Sequence, residues 1–148
     1  MPGRSRAREV ALQALHRMEF NPGFDTVEDG RALETFLHGR LHSGTLAEFA
    51  ASLVHGVARQ RAELDRELDS RSTRWRVSRM AATDRTVLRI ALYELLHTDT
   101  PGAVVVDEAI ELARRYGTEA SPRFVAGILG NLLEVPPAKA GPAASIGS

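Results

Sequence analysis

Three arginines alternate at the start of the chain. Arg4 and Arg8 stand one helical turn apart, with Arg6 between them, all inside MPGRSRAREV. Guanidinium groups grip phosphate oxygens bidentately and stack on base planes, so the cluster suits a polyanion. The competing reading is a solvated, frayed helix end. The positive end of a helix dipole disfavours cations, which adds weight to a ligand role for arginines placed there. A second phosphate-binding pattern lies near the other end, in Ser121-Pro122-Arg123-Phe124. Backbone N–H groups at a helix start can bind phosphate, and an aromatic beside an arginine can stack on a splayed base. Periodicity alone favours Phe124 as core instead.

Little else in the sequence carries chemistry. It holds no glycine-rich phosphate loop, no GxSxG and no HExxH. His38 and His42, at i and i+4 with Glu34 one turn earlier, form the best metal candidate. That spacing arises often by chance and no group to orient the imidazoles is evident, so solvated polar residues are expected there and no metal. Asp107, Glu108 and Glu111 fall mainly on the solvated side of an amphipathic helix, and Glu94, set among apolar residues, is expected to pair with an arginine. The chain contains no cysteine, which excludes disulfides, thiolate metal sites and a cysteine nucleophile. The expectation is a binding protein without cofactor, not an enzyme.

The formal net charge is zero, so whole-molecule attraction to nucleic acid is not expected; the distribution is more informative. Arg71, Arg74, Arg76, Arg79, Arg85 and Arg89 face a single acid, Asp84, in that stretch, whereas acids dominate from Glu94 to Glu119. Lys139 is the only lysine, a bias that a GC-rich genome would also produce. The basic N-terminus is not followed by an uncharged apolar run, so it is not a secretory signal. No stretch approaches the ~20 apolar residues that span a membrane. A cytoplasmic location is the default.

These side chains need helices to position them, and the pattern is helical almost throughout. Ala7, Val10, Ala11, Ala14, Leu15 and Met18 make an apolar stripe over 5–20, ended by Asn21-Pro22-Gly23. A helix over 30–42 would bury Leu33, Phe36, Leu37 and Leu41, with Gly39 weakening it. Thr45 with Glu48 reads as a capping box for the next helix, whose stripe of Leu46, Phe49, Ala50, Leu53 and Val57 continues through Leu64 and Leu68. That segment is one long helix or two with a bend near 59–61. A connector over 70–78 surrounds the only tryptophan, Trp75. Thr83 is read as the cap of an apolar, central helix running to His97. Thr100-Pro101 and Ser121-Pro122 each read as a cap followed by an N1 proline. The helix between them carries Val105, Ala109, Leu112, Ala113 and Tyr116 and stops at Gly117. Val125, Ile128, Leu129 and Leu132 line the last helix, where Gly127 and Gly130 would let a neighbour approach. The Pro/Gly/Ala/Ser-rich tail 135–148 is expected to be disordered.

The order and spacing of several motifs resemble the NusB family of bacterial transcription antitermination factors. The match begins with Arg6-Ala7-Arg8-Glu9 and Ala11-Leu12-Gln13-Ala14-Leu15. It continues with Trp75, Arg79-Met80, Asp84-Arg85, Val87-Leu88-Arg89-Ile90-Ala91 and Tyr93-Glu94-Leu95, and closes with Pro101, Glu108 to Ala113, Tyr116-Gly117, Phe124-Val125 and Gly127-Ile128-Leu129. It covers residues 4–134. The resemblance implies an all-α fold of about seven helices in two packed small helical subdomains. It implies binding of single-stranded boxA-type RNA of nascent ribosomal transcripts together with the ribosomal protein NusE, and assembly of an antitermination complex on RNA polymerase. It places RNA contacts at Arg4, Arg6, Arg8, Arg123 and Phe124, and a partner surface around Asp84, Arg85 and Arg89. Two positions depart from the family pattern: His16 stands where an aromatic is common, and Ala126 where asparagine is. Alternatives are a helical protein–protein adaptor that has lost RNA binding, or an RNA-binding accessory acting in trans with an RNA methyltransferase. A homodimer stays open, since an unpaired surface can self-associate.

Overall fold

The described residues cluster into two compact units, one up to Gln60 and one from Arg61 onward. The computed structural model describes residues 3–21, 30–72 and 74–137. Among these, six α-helices and one short 3-10 turn account for the regular structure, close to the expected seven helices. The end of the proposed tail, from 138, and the Pro22-Gly23 stop lie outside the described residues.

In the first unit, α1 (Gly3–Phe20) packs on α2 (Gly30–Arg40). The stripe read from α1 is the one that is buried: Ala7, Val10, Ala11 and Ala14 lose all solvent contact. Leu33, Phe36 and Leu37 of α2 and Ala50, Leu53 and Val54 of α3 (Gly44–Arg71) are buried with them. Burial of each Val, Leu or Phe side chain among them contributes about 1.5–3 kcal/mol, which outweighs the weak propensities of individual residues. Two guanidiniums cover the Phe36 ring, Arg40 at 3.9 Å and Arg17 at 5.5 Å from its centroid. The α3 helix bends where the sequence allowed, at Gln60 (φ −107°, ψ 16°), and this is also where the first unit ends.

The second unit takes the rest of α3 and three further helices. A 3-10 turn (Val77–Arg79) leads into α4 (Ala82–His97), followed by α5 (Gly102–Tyr116) and α6 (Ser121–Glu134). As its apolar surface requires, α4 is central, packing on both α5 and α6, which also pack on each other. Val87, Leu88, Ile90, Ala91 and Leu92 are all buried.

Helix starts differ from the sequence reading by one or two residues. Ser43, not Thr45, caps α3: its Oγ accepts the Leu46 N–H at 3.3 Å, so the Thr45–Glu48 capping box does not form. Thr83 lies inside α4, whose cap position is Ala81. Pro101 sits at the cap of α5, while the Thr100 hydroxyl turns back to Thr98 (3.1 Å) and Glu94 Oε1 (3.3 Å). In α6 the cap is Ala120, and Ser121 Oγ instead accepts the Thr118 N–H at 2.9 Å. Tyr116, expected on the buried stripe of α5, is exposed. Among the described residues no neighbouring helix uses the glycines of α6, because a Cβ at Gly127 or Gly130 would meet none of their atoms within 4 Å.

Candidate nucleic-acid interface

The N-terminal arginines have three different environments. Arg4 is exposed, yet its guanidinium rests 4.4 Å above the Phe49 ring of α3. Arg6 is half-buried and pairs with Glu9 one turn along α1. Arg8 is only 3% exposed and lies 5.2 Å from the same Phe49 ring. Cation–π contact with an aromatic face holds a guanidinium without neutralising it, so Phe49 fixes Arg4 while leaving its N–H donors to solvent. Burial gives Arg8 a different part: it props the base of the cluster and offers almost no surface of its own. Phe49 falls on the apolar stripe of α3, and no local pattern marks it for this role, which comes from a helix distant in sequence. At the far end of α1, His16 and Phe20 are both exposed, with ring centroids 4.8 Å apart.

In the second unit, Arg123 is exposed and Phe124 is half-buried, between the two readings the sequence left. The helix start around them is a poorer phosphate cradle than expected. The Ser121 N–H donates to the Thr118 carbonyl (3.1 Å), the Phe124 N–H to the Ala120 carbonyl (3.1 Å), and Pro122 has no N–H. The exposed Arg123 side chain is thus the stronger anion ligand at this helix end. Ala126, one of the two departures, is half-buried.

The residues at α4 also separate. Asp84, in the first turn, is 9% exposed, and its Oδ1 has no hydrogen-bond partner among the described residues. A buried carboxylate oxygen without a donor costs ~1–3 kcal/mol, so an incoming donor would be favoured there. Arg85 donates from Nη1 to the Met80 carbonyl at 2.8 Å. Arg89 does not fit an accessible partner surface. It is buried, and both ends of its fork bind Asp65, Nε to Oδ1 at 2.7 Å and Nη2 to Oδ2 at 2.9 Å. Its geometry is that of an internal strut between α4 and α3.

The candidate metal residues do not assemble as their spacing suggested. Glu34 and His38 line a cleft of about 280 Å³ between α2 and α3, with Leu33 and Leu37 at its base and Glu48 and His55 opposite. His42 does not line it, and among the described residues no three such groups are placed to hold a metal ion. Nor is any described helix long and apolar enough to cross a membrane.

A family model described as the NusB family matches residues 5–134. The chain belongs to the NusB family. A transcription antitermination protein NusB from Anaeromyxobacter dehalogenans is 43% identical over 140 residues, covering 93% of this chain and 96% of its own. A NusB from Symbiobacterium thermophilum is 44% identical over 137 residues, covering 88% of each. Among solved structures, the NusB of T. maritima superposes with a TM-score of 0.77 at 34% identity, covering 100% of this chain and 99% of its own. A NusB crystallised with NusE and double-stranded RNA superposes with a TM-score of 0.76 at 24% identity, over 91% and 98% of the two chains. NusB membership makes this chain a transcription antitermination factor with the all-α fold of that family.

Proposed function

We propose that this NusB binds single-stranded boxA-type RNA of nascent ribosomal transcripts in the cytoplasm, jointly with the ribosomal protein NusE. The pair then helps to assemble an antitermination complex on RNA polymerase. The observation that carries the proposal is the exposed Arg4, whose guanidinium is held 4.4 Å over the Phe49 ring. Arg123, exposed at the start of α6, is a second phosphate ligand, with Arg6 and the accessible part of Phe124 as supporting contacts. Arg8 supports the cluster from beneath. On the partner side, Asp84 and Arg85 are the candidates, since the unsatisfied Asp84 Oδ1 is completed by a donor from NusE. The reading is supported by family membership and by the presence of NusE and RNA in a structure of the same fold.

Zero net charge means that this chain alone binds RNA weakly, and a partner that adds contact area makes binding cooperative. Each phosphate contact on a single strand contributes about −0.7 to the slope of log K against log salt. Titration of labelled boxA RNA, with and without NusE, tests the proposal. Arg4→Ala and Arg123→Ala should each weaken binding and flatten the salt slope by about that amount. NusE binding with no RNA contribution at any salt concentration supports the adaptor reading and removes this one.

A further inference from the structure

The connector between α3 and α4 is built to display an aromatic among cations. Val77 and Met80 turn inward and are buried. Its backbone is pinned at several points. The Trp75 N–H donates to Ser72 Oγ (3.0 Å), the Val77 N–H to Asp69 Oδ1 (2.8 Å), and the Arg79 N–H to the Arg76 carbonyl (2.9 Å). What remains outside is Arg74, Trp75, Arg76 and Arg79, all exposed. Trp75 is 52% exposed, an unusual position for the largest apolar side chain and for the only tryptophan of the protein. Arg74 and Arg79 take part in no ion pair among the described residues. Arg76, whose side chain is 72% exposed, makes one ion pair among the described residues, with Asp69 at 3.8 Å. That carboxylate already accepts the Val77 N–H.

We propose that this Arg74–Arg79 connector is a second RNA contact, in which a single-stranded base stacks on Trp75 while Arg74, Arg76 and Arg79 bind the flanking phosphates. Tryptophan and arginine also anchor protein interfaces, but such anchors sit inside a ring of contacts that exclude water. Here the two residues that flank Trp75 in sequence, Arg74 and Arg76, are both exposed, with their charges in solvent. A stacked base needs only one open π-face with cations beside it, and this geometry tolerates any sequence. The contact rests on the RNA-binding reading above, yet it uses none of the same residues. It would extend the bound strand beyond the boxA contacts without adding sequence specificity.

Because Trp75 is the sole tryptophan, its fluorescence reports the contact directly in the full-length protein. The probe is oligouridylate, whose bases are already unstacked, with heparin as a polyanion that has no bases. The expected result is quenching by the RNA and little by heparin. Trp75→Ala should weaken oligouridylate binding about tenfold, Trp75→Phe distinctly less, and Arg74→Ala with Arg79→Ala should lower the salt dependence. Equal quenching by heparin, or RNA binding unchanged in Trp75→Ala, overturns the proposal. In the second case the contacts at Arg4 and Arg123 stand on their own variants. Binding lost in Trp75→Ala but kept in Arg4→Ala/Arg123→Ala would uphold this contact. No binding of oligouridylate by the wild-type protein at low salt overturns it, whereas the reading above falls only if boxA RNA with NusE shows no RNA contribution.

Discussion

Arg89 and Asp65 meet fork to fork, with Nε–Oδ1 at 2.7 Å and Nη2–Oδ2 at 2.9 Å, joining the centre of α4 to the second half of α3. The arginine end is buried, while the carboxylate end is about one quarter exposed. Removing one partner of such a pair leaves the other charge desolvated, at a cost somewhat below the 3–5 kcal/mol of a fully buried pair. Arg89→Ala is therefore expected to lose about 2–4 kcal/mol in urea denaturation. Lysine cannot make the bidentate contact, so Arg89→Lys should recover only part of it. If Arg89 served NusE instead, the stability would hold and only partner affinity would fall.

Gly117 ends α5 with an ordinary extended backbone (φ −94°, ψ −162°), so its glycine is required by space and not by strain. A Cβ there would lie 2.4 Å from Ser121 Oγ and 2.8 Å from the Ala113 carbonyl oxygen. The hydroxyl can yield by rotation, but the Ser121 Cβ, 2.6 Å away, and the backbone carbonyl cannot. Gly117→Ala should destabilise the protein by about 1–3 kcal/mol, as overpacking does, with the loss read from equilibrium unfolding.

Phe49 faces both Arg4 and Arg8 across the first unit. Each cation–π contact is worth about 0.5–2 kcal/mol, more for the desolvated one. Phe49→Leu keeps the apolar volume but removes the π-face. Stability should drop by roughly 1–2 kcal/mol. Amide hydrogen exchange in the first turns of α1 should speed up relative to α2. Unchanged exchange there would mean that Phe49 does not hold the arginines.

Much of this architecture can be read from the residues. The 3.6-residue stripes of α1, α4 and α6 predicted most of the buried apolar side chains, but not the half-buried Met18, Leu95 and Leu96 or the buried charges of Arg8, Glu9, Arg89 and Glu94. Helix starts were displaced by one or two residues because Ser, Thr and Pro compete for neighbouring cap positions. Ser43 won at α3, and Ser121 bonded to Thr118 instead of capping. The arginines were visible as chemistry but not as surface. Arg8 and Arg123 look alike in sequence, yet one is buried and the other open. The Arg89–Asp65 pair spans 24 residues, and no local rule connects them.

The glycines of α6 show the opposite of Gly117. Gly127 is exposed, helical and faces open space where a Cβ would go. An alanine there creates no clash and restricts the unfolded chain. Gly127→Ala should therefore stabilise the protein by about 0.5–1 kcal/mol. Gly130→Ala should have the same sign, and a decrease in the denaturation midpoint for either would show a contact that the described residues do not make.

His97, in the last turn of α4, is expected to give the stability a pH dependence. Its ring stacks on Tyr93 at 4.8 Å. Desolvation by burial pulls its pKa below the ordinary histidine value, and the charge of Glu63 opposes this less strongly. In the unfolded chain the imidazole titrates near its model value of 6.5. Between that value and the lower folded one, the unfolded state binds more protons, so stability rises with pH. The contribution is complete above the unfolded pKa, is lost as the pH falls towards the folded pKa, and levels off below it. His97→Gln should flatten that part of the profile, measured as the urea midpoint in steps from about pH 7.5 to 5. A wild-type profile that rises on acidification through this window, with the slope abolished in His97→Gln, would show that Glu63 dominates and that the imidazolium is the favoured folded form.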